Sequence, residues 1–236
     1  MSTLAFCVPA GGGCSMAESV RFDDPGALSG MLSGVSFVGG LATGLALADA
    51  PFPRPGADVR DLKRFFIDNA GPERINLTGQ LLSAAFLARY SLSVARLAGR
   101  ASRRSGALRA AAIGGAVLAS GSLAASAAAA GALTAGPGRD DDTAKSLHRF
   151  LFVAGGPVHG AGLALLLGAL GIAGLDTGFL PRSLAIAALA VAGVDALAPL
   201  VLAVPKAALV LPAGRFPTFV VLGVTGIRLA RGLRAR

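Results

Sequence analysis

Six stretches of this chain run for about twenty residues with hardly a charge, and segments like these are poorly suited to water. Gly26 to Ala48 contains no Asp, Glu, Lys or Arg. A helix crossing ~30 Å of hydrocarbon needs ~20 mostly apolar residues, so this run suffices for one span. We place the spans at about 28–49, 71–90, 110–134, 150–170, 183–203 and 213–231. Backbone polar groups in lipid must find partners within their own segment, which predicts helices. The expected fold is all-α: a polytopic transmembrane helix bundle of about six spans. Composition agrees, with 53% hydrophobic and only 15% charged residues, against ~25% charged in a typical soluble domain. The 33 glycines show no G-X-Y period, which excludes collagen.

Residues 1–25 read as a disordered polar leader, and 232–236 as a basic tail. Met16 is read as an alternative start. Cys7 and Cys14 lack C-x-x-C spacing and have no ligand partner close in sequence, so no metal is expected there. Ala48-Asp49-Ala50 looks like a signal cleavage site, but Pro51 follows it directly. The apolar run also exceeds the ~7–15 residues of a signal h-region, so the first span is read as a retained anchor.

Between the first two spans, residues 56–70 form an outer amphipathic segment. Val59, Leu62, Phe65 and Phe66 fall on one helical face and Arg60, Asp61, Lys63 and Arg64 on the other. Asp58 is its expected N-cap, and the helix is expected to lie along the membrane surface. Span three is rich in Ala, Gly and Ser. Two small-residue stripes, Gly114/Leu118/Gly121/Ala125 and Gly115/Ala119/Ser122, suit close packing, so this span is expected at the bundle centre. Span four is interrupted by Gly155-Gly156-Pro157, where proline removes a backbone donor. The last span is expected to have Arg215 and Arg228 snorkelling at its two ends.

The net charge of +9 raises nucleic acid as a partner. The positions argue against it: Trp is absent and Tyr90 is the only Tyr, so few rings could stack on bases. The expected partner is the lipid bilayer, with a membrane-protein partner or a second copy as the protein contact. Lys and Arg then act as topology anchors. With the N-terminus and C-terminus cytoplasmic, twelve Lys and Arg lie inside and ten outside, and the cluster 89–109 and the tail both fall inside without acidic neighbours. Arg outnumbers Lys 19 to 3. With the Ala, Gly, Val and Pro bias, this suggests a high-GC bacterial genome and hence an inner (cell) membrane location.

Ionisable residues deep in a bilayer invite a functional reading. Asp195 and His159 both fall in the outer half of their spans, with Gln80 at a similar level. Consecutive spans are usually neighbours, which brings His159 and Asp195 within reach of each other. Gln80, His159 and Asp195 are thus the candidate intramembrane polar site, able to relay protons or to satisfy itself between helices. His148 and His159, eleven residues apart on one helix, are separated by ~16 Å and cannot be opposite ligands of one haem. No Walker, Rossmann, H-E-x-x-H or G-x-S-x-G motif occurs, so no catalytic residue, cofactor or metal is assigned. Asp140, Asp141 and Asp142 lack EF-hand spacing and read as a solvated loop. The leading expectation is a non-enzymatic structural or partner-binding membrane subunit, and the alternative is a small secondary transporter.

The layout resembles a broad group of uncharacterised multi-pass membrane proteins from actinobacteria. The features are the Gly-rich early span at Ser33-Gly34-Val35-Ser36-Phe37-Val38-Gly39-Gly40, the outer helix Asp58 to Asn69 and the Arg-rich turn Arg96 to Arg109. Entry to span four through Leu147-His148-Arg149-Phe150 and the final span from Phe216 to Arg231 complete them. The resemblance implies an integral membrane bundle and carries no catalytic or binding residues.

Overall fold

The computed structural model describes residues 24–101, 104–136, 140–204 and 209–232. Cys7, Cys14, Met16 and the rest of the leader before Asp24, Lys206, and the tail beyond Gly232 lie outside the described residues. Eight α-helices occur among the described residues: α1 (Ser29–Leu47), α2 (Val59–Asp68), α3 (Ala70–Ala98), α4 (Ser105–Ala135), α5 (Asp141–Val153), α6 (His159–Thr177), α7 (Arg182–Ala196) and α8 (Val210–Ala230). A 3-10 turn, Pro25–Leu28, leads into α1, and another, Ala198–Leu202, extends α7. A π-helical turn at Ala154–Val158 joins α5 to α6 into one rod. No strand occurs among the described residues. Six of these units are long and apolar enough to cross a membrane: Pro25–Leu47, Ala70–Ala98, Ser105–Ala135, Asp141–Thr177, Arg182–Leu202 and Val210–Ala230.

The six spans form a closed ring in chain order. α1 packs on α3, α3 on α4, α4 on α6, α6 on α7, α7 on α8, and α8 returns to α1. α3 and α6 also meet across the middle. An even number of spans returns the chain to its starting side, and Asp24 N–H donates to Leu229 O at 3.3 Å. The half of the ring nearest that junction is filled by Leu87, Tyr90, Leu163, Leu166, Leu167, Leu170 and Leu222, all fully buried. The Tyr90 and Thr225 hydroxyls share a hydrogen bond of 2.6 Å, and those of Ser33 and Ser83 one of 3.0 Å.

Lipid tails are as apolar as leucine, so helices in a membrane gain mainly by close packing. Two glycine pairs show this. A Cβ on Gly40 would lie 2.7 Å from Gly79 Cα, and one on Gly115 would lie 2.7 Å from Gly162 O. Span three therefore packs through Gly115 and Ala119, both buried. Gly114 and Gly121 have open space where a Cβ would sit. The expectation that this span lies at the centre is corrected: α3 and the α5–α6 rod are the most enclosed spans, while α4 leaves Ile113, Val117 and Leu118 exposed.

The end of the bundle opposite Asp24 is covered by α2 and the segment before it. The Asp58 carboxylate caps α2, accepting from Arg60 N–H at 2.8 Å. Leu62, Phe65 and Phe66 are buried against Ala130, Leu133 and Ala144, with Phe52 packed edge-on to both phenylalanines. The apolar face thus meets the bundle, where the sequence reading placed it on the membrane surface. The Asp140–Asp142 loop is also revised. Asp140 caps α5 by accepting from Thr143 N–H at 2.8 Å, and Asp141 and Asp142 form its first turn. Asp141 pairs with Lys63 of α2 at 2.7 Å. Backbone N–H groups hold the carboxyls of Asp58 and Asp140 below the usual carboxylate range. Asp24, assigned by sequence to the leader, is instead a buried anchor: its carboxylate meets Arg96 at 2.8 Å and Arg89 at 3.5 Å.

Candidate functional site: a cavity inside the helix ring

Pro157 has no N–H to donate, and the chain answers by widening one turn of the rod. His159 N–H reaches back five residues to Ala154 O, the π pattern. Carbonyls freed near such a turn need partners, and neighbouring helices supply them. Ser126 of α4 donates from Oγ to Leu151 O at 3.0 Å. The Arg215 guanidinium of α8 donates to Gly155 O. Any side chain at Gly155 would collide with Ser126 Oγ, so this glycine is what allows the approach.

Beside the widened turn lies a cavity of about 280 Å³. Phe37 and Leu41 of α1, Asn76 and Gln80 of α3, Leu123 and Ser126 of α4, and Arg215 and Phe216 of α8 line it, with Phe52 from the outer cap. Most of the wall is apolar. The polar groups are one guanidinium, two amides and one hydroxyl, and Gln80 Nε2 donates to Asn76 Oδ1 at 3.3 Å. Arg215 also lies over the Phe37 ring, 5.2 Å from its centroid, within cation–π range. Among the described residues, no carboxylate lines the cavity.

The three residues singled out by sequence occupy different places. Gln80 is in the cavity wall. His159 is fully buried, its Nδ1 bonds Ala119 O at 2.8 Å, and its Nε2 has no hydrogen-bond partner. Asp195 is buried at the end of α7 and accepts from Thr218 Oγ1 of α8 at 2.7 Å. His159 and Asp195 share no hydrogen bond although α6 and α7 adjoin. The helix period explains this. Consecutive residues point ~100° apart, so Gly160 faces α7, beside Ala198 and Asp195 O, while His159 faces α4. A side chain at Gly214 would strike the Asp195 carboxylate. Arg215 comes next in the chain, and its charge acts on Asp195 without a direct ion pair.

Arg215 is the residue the sequence reading misplaced. The sequence reading places the last span at about 213–231, with Arg215 snorkelling outward from its first turn. α8 in fact begins at Val210, so Arg215 lies more than a turn inside it and turns into the ring. The signal was the uncharged run Ala207 to Gly214 just before it. Fold and site together define a multi-pass integral membrane protein with an internal cavity. No family model matches the chain, and comparisons with curated proteins and with solved structures give no significant match.

Proposed function

We propose that this membrane protein binds a small amphipathic anion in its internal cavity and acts as a carrier for it. One observation carries the reading: Arg215 faces a largely apolar cavity with no carboxylate among the described residues that line it. A cation at membrane depth is costly unless paired; Asp195 acts on Arg215 only at a distance, without an ion pair, and a bound carboxylate would supply a direct partner. The side-chain amides of Gln80 and Asn76 would donate the remaining hydrogen bonds, and the apolar wall suits a short alkyl chain. The packed leucines below would close the cavity toward the other side, as an alternating-access carrier requires of one of its states. This favours the carrier over a non-enzymatic, partner-binding subunit, for which the cavity would have no use. The Arg-rich end would face the cytoplasm of a bacterial cell, in keeping with the positive-inside rule and with the resemblance to actinobacterial multi-pass proteins.

Octanoate tests this, with octanol as the uncharged control. Octanoate should raise the thermal midpoint of the detergent-solubilised protein more than octanol does, and proteoliposomes should take up labelled octanoate. Arg215→Gln should abolish both effects, and Gln80→Ala should weaken them. Equal protection by octanol would remove the anion from the proposal. Binding without uptake would return the protein to the subunit reading.

A further inference from the structure

On the outer surface of the ring, a groove runs between α3 and α4. Near the loop joining these helices it is a basic recess of about 420 Å³, bounded by Arg96, Arg100 and Arg109 with Leu92 and Ile113. Leu92 and Ile113 also bound the next recess, of about 560 Å³, which continues past Val117 to Gly121 with almost wholly apolar walls. The two recesses are thus one channel with a cationic head and a greasy tail. Among the described residues, no carboxylate lines either part. Asp24 meets Arg96 at 2.8 Å and Arg89 at 3.5 Å.

We infer that this groove is a binding site for an anionic phospholipid of the leaflet at the Arg-rich end. Three features of the groove fit this occupant. The guanidinium groups match a phosphate in charge and geometry, and the N-terminus of α4 adds partial positive charge at the same level. From Arg109 to Gly121 is twelve residues, or ~18 Å at ~1.5 Å per residue. That is close to the ~15 Å half-thickness of the hydrocarbon core, so an acyl chain from a headgroup at the arginines would fill the groove. Where basic walls give way to apolar ones, Arg89 borders the groove, its guanidinium turned back toward Asp24. Leu92 and Val117, 50% and 69% exposed, would be covered by the chains.

The experiment uses the full chain in detergent, delipidated and titrated with phosphatidylglycerol, and reads lipid retention by native mass spectrometry. Phosphatidylcholine serves as the zwitterionic control and inorganic phosphate as the headgroup alone. Phosphatidylglycerol should bind about tenfold or more tighter than phosphatidylcholine. Arg100→Gln with Arg109→Gln should cost about twenty- to thirtyfold in phosphatidylglycerol affinity and leave phosphatidylcholine unchanged. Arg231→Gln, outside the groove at the same end, should change nothing. Gly121→Leu keeps every charge and has open space for its side chain, so it tests the acyl groove without threatening the fold; it should weaken phosphatidylglycerol binding. The inference is overturned if the two lipids bind alike, if Gly121→Leu and the double variant both retain phosphatidylglycerol, or if millimolar phosphate displaces it. A Gly121→Leu protein that dissociates from a second copy while keeping its lipid would likewise overturn it, making the groove a helix-docking surface.

Discussion

Asp24 and Arg215 are charged residues at the two ends of the same hydrophobic structure, and their neighbours give them different roles. Arg215 borders a cavity and bonds a carbonyl that the π turn leaves free. Asp24 is enclosed by arginines and ties the start of the first span to α3. Burial alone would push the Asp24 carboxyl up. The Ser93 hydroxyl beside it and the Arg96 and Arg89 guanidinium groups outweigh burial and hold it below the usual carboxylate range. A group whose folded pKa is depressed stabilises the fold above its unfolded pKa, and that contribution is lost as pH falls through the folded value. Asp24→Asn should therefore lower the thermal midpoint in detergent at pH 7. The gap between variant and wild type should close as the pH falls below 4. Circular dichroism melts across that range check this, and a gap that persists at low pH would mean that Asp24 acts through shape alone.

At the scale of elements, a helix face matters more than the composition of a helix. Gly114 and Gly115 are neighbours in one Ala-rich span, yet their Cβ positions meet open space and the α6 backbone respectively. Gly114→Leu should leave the protein folded, because leucine is a better helix former than glycine by up to ~1 kcal/mol. Gly115→Leu should separate α4 from α6 and lose the monodisperse peak in size-exclusion chromatography. The same reasoning explains α2. Its periodicity identified the apolar face and its cap from sequence, but not what covers that face. Ala130, Leu133 and Ala144 come from distant parts of the chain, and no local pattern announces such a meeting. Pro157 and its flanking glycines marked an interruption in span four; its form as a π turn depends on Ser126 and Arg215 reaching the nearby carbonyls.

For the whole molecule, ring closure in chain order puts the Arg-rich loop, the start of α1 and the end of α8 together, with α2 at the opposite end. Sidedness can be tested on a variant with Cys7 and Cys14 replaced by Ser. Asp61→Cys should react with a membrane-impermeant maleimide in right-side-out vesicles, and Arg231→Cys only in inverted ones. The reverse pattern would turn the bundle over without altering its internal packing.

The number of spans and the all-α class were legible in the sequence because hydrocarbon imposes a length and a hydropathy on anything that crosses it. Gln80 was legible as a polar residue at depth for the same reason, as were His159 and Asp195. Which of them share a space was not, since that depends on side-chain direction around each helix axis. His159 turns to α4, Asp195 to α8, and Arg215 enters the cavity from a helix that begins earlier than its proline-broken sequence suggested. Hydropathy measures how deep a residue sits in lipid; only the packed ring determines which way it points.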